Sequence, residues 1–205
     1  VGTKGEVEEF NGSSWSEENN LGTARYGSGG AGTQTAAVCM SGNSYPPAAN
    51  KSETEEYDGS SWSESGDVSN ARGLCGGCGT QTAALICGGE SNPSGTIRAF
   101  TEEYNGSSWT TGGALITATS QIAAAGSQTA ALAFGGSAPS AVATTLKYDG
   151  SSWSTQPSLG TARRGLVGTG STSAGLAFGG ATNLSATEEF TGETSAATAK
   201  TLTTS

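Results

Sequence analysis

The side chains best suited to chemistry recur along this chain. Arg25, Arg72 and Arg163 each close a Thr-Ala-Arg or Asn-Ala-Arg phrase, and a guanidinium is a rigid donor fork that grips carboxylate or sulfate. Set around a channel mouth, they could hold such an anion; alternatively, each satisfies backbone carbonyls of a neighbouring unit. Thr119 stands at the matching position of a further copy, so any ring of arginines is incomplete. Glu8-Glu9, Glu55-Glu56, Glu102-Glu103 and Glu188-Glu189 offer paired carboxylates of the sort glycoside hydrolysis uses. Neighbours in a strand point to opposite faces, however, and Leu146-Lys147 replaces the pair in one copy, so the glutamates read as a solvated, edge-protecting face. Cys75-Gly-Gly-Cys78 has the spacing of a redox or metal pair. On a strand those thiols also face opposite ways, which makes them free buried cysteines. There is no histidine, which removes the commonest general base and most zinc and copper sites. No catalytic residue, metal site or cofactor is assigned, and the chain reads as a non-enzyme.

These residues recur because the chain does. Trp15, Trp62, Trp109 and Trp153 stand 47, 47 and 44 residues apart, closing the phrases FNGSSW, YDGSSW, YNGSSW and YDGSSW. Such a period marks an architecture built by stacking one small unit. The units are a half unit at 1–20, then 21–67, 68–114, 115–158 and 159–205, within a single domain at 1–205. Each whole unit offers a Gly/Ala-rich segment A after the Arg, a segment B ending in Gly-Gly, a segment C ending in Tyr or Phe, and a segment D carrying the Trp. Short runs rich in Thr, Val, Leu and aromatics, separated by Gly, Asn and Asp, predict strands. The Asn-Gly or Asp-Gly between C and D predicts a type I′ hairpin with two positive-φ residues.

Four antiparallel strands per unit of this length predict an all-β propeller, whose blades bury their faces only by stacking round an axis. The small residues of segment A suit the innermost strands. Leu85, Leu132 and Leu176, with Met40, Cys87, Phe134 and Phe178 two residues later, suit one inter-blade layer that each Trp caps. Segments A and B occur four times and segment C five times, so the ring has either five blades, which is favoured, with the missing strands supplied upstream or by a neighbouring subunit, or four closed by the amino-terminal strands. An unpaired half-blade is a sheet edge that invites another chain.

The chain resembles the kelch-repeat propellers through Gly88-Gly89, Gly135-Gly136 and Gly179-Gly180, the aromatics Tyr57, Tyr104, Tyr148 and Phe190 after them, and the Trp that follows. It departs in Ser41-Gly42, which replaces the first doublet, and in a short Tyr-to-Trp step. The wording of GTQTAALICGG, GSQTAALAFGG and TEEYNGSSW is similar to repeat proteins frequent in marine bacteriophages, which implies a structural or tail-associated role on a virion or in another extracellular assembly. The Asp-Gly-Ser-Ser-Trp phrase is also similar to the Asp-box of sialidase propellers, but it lacks the residue between Asp and Gly and reads as turn chemistry.

Partners follow from charge and from the loops. A net charge of −9, with 9 basic residues and none clustered, argues against nucleic acid, whose binding is driven by phosphate neutralisation. No apolar run is long enough to cross a bilayer, so membrane insertion is not expected. The B-to-C loops differ between copies, and Tyr45, Asn92, Arg98 and Phe100 are their best candidates for binding a ligand such as a cell-surface glycan. The other expected partners are subunits of a particle or filament, joined by strand sharing through residues 1–20 or the C-terminal tail.

Overall fold

A computed structural model describes residues 4–91, 94–181 and 185–192, and among them every regular element is a strand. A hairpin of β1 (Val7–Phe10) and β2 (Trp15–Glu18) comes first. Blade 1 follows in the order β3 (Gly29–Thr33), β4 (Ala36–Ser44), β5 (Ala49–Tyr57) and β6 (Trp62–Ser65). Blade 2 holds β7 (Gly76–Thr80) and β8 (Ala83–Cys87), then, beyond a loop hairpin of β9 (Glu90–Ser91) and β10 (Thr96–Ile97), β11 (Thr101–Tyr104) and β12 (Trp109–Thr111). Blade 3 is β13 (Ala123–Ser127), β14 (Ala130–Phe134), β15 (Thr145–Tyr148) and β16 (Trp153–Gln156). Blade 4 is described as β17 (Val167–Gly170), β18 (Gly175–Phe178) and β19 (Thr187–Phe190). All pairings are antiparallel, and the blades form a β-propeller.

Four blades are found where five were favoured. What would begin a fifth is only the β1–β2 hairpin, an outer half without inner strands among the described residues. The inner strands β3, β7, β13 and β17 pack in succession, but no comparable packing joins β17 back to β3. Near the axis one backbone hydrogen bond crosses each seam: Leu74 N–H to Gly27 O at 2.6 Å, Gln121 N–H to Leu74 O at 2.7 Å, and Gly165 N–H to Gln121 O at 2.9 Å. A second series runs from the doublet position of blades 1, 2 and 3. Gly42, Gly89 and Gly136 donate to the carbonyls of Arg72, Thr119 and Arg163 of the following blade, at 2.9, 2.9 and 2.8 Å.

The apolar layers lie between blades, as period-two spacing requires. Val38 and Met40 of blade 1 meet Ala84, Ile86, Tyr104 and Trp109 of blade 2. Leu85 and Cys87 meet Ala131, Ala133, Tyr148 and Trp153 of blade 3, and Leu132 with Phe134 meet Leu166 and Ala177 of blade 4. Leu85 and Leu132 are fully buried, each contributing about 1.5–3 kcal/mol of transfer free energy. Leu176 and Phe178, at the same positions of blade 4, are only half-buried, because no blade covers that face among the described residues.

Two local expectations are corrected and one departure from the repeat is explained. Phe10 pairs with Trp15, Tyr57 with Trp62 and Tyr148 with Trp153, so each C-to-D turn is a four-residue loop rather than a two-residue type I′ turn. Only its glycine has positive φ, between 90° and 96°. The Asn11, Asp58, Asn105 or Asp149 side chain instead accepts the N–H groups of both serines, at 2.8–3.0 Å, and these bonds draw the Asp58 and Asp149 carboxyls down to about 2. Next, Ser41 occupies the doublet's first position at φ 61°, against 65° for Gly88. A Cβ at Gly88 would fall 2.3 Å from Thr119 O, whereas Ser41 Oγ donates to the equivalent carbonyl of Arg72. Finally, the tryptophans are not equally buried: Trp109 and Trp153 are 8% and 7% exposed, but Trp15 is 66% exposed.

Candidate functional site

The arginines are held inside their own blades, not set around an opening. Arg25, Arg72 and Arg163 have side chains of 0% exposure, in ion pairs with Glu55, Glu102 and Glu188. The Arg72–Glu102 and Arg163–Glu188 contacts measure 2.5 and 2.6 Å. Further donors serve carbonyls of the same blade, Gly88 and Asn70 for Arg72, at 2.9 and 2.7 Å, and Gly179 and Ala186 for Arg163, at 3.1 and 2.7 Å, while Arg25 Nε, Arg72 Nη2 and Arg163 Nε are buried without a hydrogen-bond partner among the described residues. Each glutamate also accepts backbone N–H groups from the linker that enters the inner strand, as Glu55 does from Gly22 and Thr23. Each pair therefore ties the D-to-A linker to strand C, and a soluble anion could reach an arginine only by displacing a buried carboxylate.

The glutamate doublets are accordingly not a uniformly solvated face, although Glu8 and Glu189 are exposed. The first member of each, in Glu55, Glu102 and Glu188, is buried on its arginine. The second reaches the following blade: Tyr104 Oη donates to Glu56 at 2.7 Å and Tyr148 Oη to Glu103 at 2.6 Å. Burial, reinforced by the neighbouring carboxylate, pushes both phenols up to about 12. The substituted copy changes both sides together. Thr119 replaces the arginine where Leu146 replaces the glutamate, and Lys147 replaces the second glutamate where the next blade's aromatic, Phe190, has no hydroxyl. That joint variation is the signal in the sequence that links the two positions.

The loop side gathers the other candidates. Linkers D-to-A and loops B-to-C emerge together, joined by the bridges Tyr26–Asn43, Gly73–Glu90 and Ser120–Ser137. Asn50 Nδ2 reaches Asn43 Oδ1 at 2.7 Å and Glu90 O at 3.1 Å, linking the loops of blades 1 and 2. Tyr45, 53% exposed, stands just beyond the extended β4. Arg98 donates to Ser91 Oγ at 2.9 Å and lies over the Phe100 ring at 5.7 Å, a ring that Arg72 approaches at 6.0 Å. Arg98 and Phe100 thus form one stacked unit, while Asn92 and the C-terminal tail lie outside the described residues.

Cys75 faces the seam between blades 1 and 2 and Cys78 the seam between blades 2 and 3. All four thiols are free; burial pushes Cys75 up to about 11 and Cys78 up to about 12, which suppresses thiolate chemistry. Among the described residues no group of three or more His, Cys, Asp or Glu side chains is placed to hold a metal ion.

The most unusual surfaces are the two ends of the blade series. At one end the hairpin exposes Phe10 (46%) and Trp15 (66%) beside a groove of about 360 Å³, lined among others by Glu8, Glu9, Gln34, Ala37 and Trp62. Glu9 Oε1, Tyr57 Oη and Trp62 Nε1 are buried without a hydrogen-bond partner among the described residues. Trp109 and Trp153 bond Thr54 and Thr101 of the preceding blade, at 2.9 and 3.0 Å; the residue at that position on β1 is Val7, which has no hydroxyl. At the other end Val167 is 56% exposed beside half-buried Leu176 and Phe178. No protein-family model matches the chain, and a search of the curated proteins finds no match.

Proposed function

We propose that the chain is a noncatalytic structural or decoration propeller of a larger assembly, kelch-like in its repeat and of the kind carried on a virion or another extracellular particle. The observation that carries this reading is the pair of apolar surfaces at the two ends of the described blade series. A hairpin with two exposed aromatic rings and an open apolar face on β17–β18 are surfaces that the interior blades bury. Exposed apolar surface next to unpaired strand edges is ordinarily an association surface. The resemblance of the repeat phrase to phage structural proteins supports the setting. Negative-stain imaging of the purified protein at micromolar concentration should show regular end-to-end contacts between propellers. Dispersed single particles at every concentration would reject the reading.

A glycan-binding role is the second reading, favoured by Tyr45 exposed beyond β4 and by the Arg98–Phe100 stack on the variable loop side. It requires binding on a glycan array that disappears in Tyr45→Ala or Arg98→Ala while the fold is retained.

A further inference from the structure

We infer that the two ends fit each other between copies: the β1–β2 hairpin of one chain adds to the outer edge of β18 in a second chain, in the place of Thr187–Phe190, and Glu8 meets Arg163. This rests on the reading of the chain as an assembling subunit and names the contact.

Val7-Glu8-Glu9-Phe10 and Thr187-Glu188-Glu189-Phe190 are the same C strand in register. Glu188 pairs across from Ala177 and Thr187 from Phe178, so β1 would set Glu8 opposite Ala177 and Val7 opposite Phe178. Glu8 is exposed, whereas Glu55, Glu102 and Glu188 at its position are each buried on an arginine. Among the described residues no arginine is paired with it.

The surroundings agree group by group. Gln81 and Gln128 each bond two carbonyls of the preceding blade, one on strand B (Ala37 or Ala84, at 3.1 and 3.0 Å) and one on strand C (Tyr57 or Tyr104, at 2.6 and 2.5 Å). Among the described residues Gln34 bonds only Phe10 O, at 3.1 Å; Gly175 of β18 stands at the register position of the strand-B carbonyl that Gln81 and Gln128 each reach. With the hairpin in that blade, the preceding blade would be blade 3. Trp15 would then face Thr145, which holds the position of Thr54 and Thr101, and Phe10 would face Lys147 as a ring without a hydroxyl, the same match that Phe190 makes. The face formed by Val167, Leu176 and Phe178 would cover blade 1 beside half-buried Cys39.

We take the partner to be a second copy, since among the described residues the two ends are held apart. The hairpin is tied to the start of blade 1 by Leu21 N–H to Gly5 O at 3.0 Å and Arg25 N–H to Lys4 O at 3.2 Å. The edge of β18 already holds β19, and β17 is not packed against β3. Strand addition of this kind is head-to-tail, so copies propagate into a ring or a filament.

Opposite signs test it. By sedimentation velocity, wild type should grow in size with concentration. Glu8→Ala should weaken association by about tenfold or more, since it leaves Arg163 without an incoming carboxylate. Glu188→Ala should strengthen association by removing the resident competitor. In a Cys39→Ser background, mixing Val7→Cys with Phe178→Cys chains should give a disulfide-linked heterodimer. If Glu8→Ala associates as wild type does, or if Val7→Cys/Phe178→Cys in one chain closes only on itself, this contact is overturned while an assembling role survives. Wild type monomeric at all concentrations would sink both.

Discussion

Arg72 and Glu102 are withdrawn from water together, and their value lies in being paired. Desolvating two charges offsets much of their attraction, so a buried pair replaced whole by apolar groups is often near neutral, while loss of one partner strands the other. The protein contains that comparison, since blade 3 carries Thr119 and Leu146 at the same two positions. Arg72→Thr alone should therefore destabilise by roughly 3–5 kcal/mol, and Arg72→Thr/Glu102→Leu should regain most of it, as a positive coupling in a double-mutant cycle read by urea unfolding. The recurrence of arginine and the doublet glutamates was plain in the sequence, but their partnership was not. They lie 30 residues apart in chain order within each of the first two copies, and only the joint change to Thr119 and Leu146 reveals the pairing.

At the level of the strand, the tryptophans separate repetition from environment. Trp109 fills a seam, stacks on Tyr104 at a centroid distance of 4.8 Å and bonds Thr54. Trp15 stacks on Phe10 at 5.3 Å but is 66% exposed, with no blade packed on it among the described residues. Trp109→Ala should cost roughly 3–5 kcal/mol of stability. Trp15→Ala should leave the denaturation midpoint of the isolated chain nearly unchanged, because a side chain already in water loses little by truncation. Strand identity, the inter-blade layers and the loop side followed from period-two spacing and the glycine doublets. Blade number did not, because closure depends on whether β17 meets β3, a contact between distant copies that no local pattern encodes. The turn type was also misread: Asn-Gly and Asp-Gly suit a type I′ turn, yet the two serines that follow let the Asx side chain organise a longer loop.

For the molecule as a whole, the seams between blades 1, 2 and 3 share one pH-sensitive device. Tyr104 and Tyr148 are held protonated against Glu56 and Glu103, with the folded state's phenols near 12 against about 10 in an unfolded chain. The folded state thus keeps protons that the unfolded state gives up first. Its stability is intact below pH ~10 and is lost progressively as the pH rises towards ~12. Alkaline titration followed by tyrosine absorbance and circular dichroism should show ionisation and unfolding together in that window. Tyr104→Phe/Tyr148→Phe should shift unfolding to higher pH.

The exchange of Glu-to-Tyr seams for a Lys-to-Phe seam after blade 3 also bears on how nearly identical modules avoid being mistaken for one another during folding. Transposing the second and third repeats would bring Lys147 against a phenol and Glu103 against a bare ring. Each junction therefore acts as a checksum on the order of assembly, disfavouring the out-of-turn docking to which tandem repeats are prone.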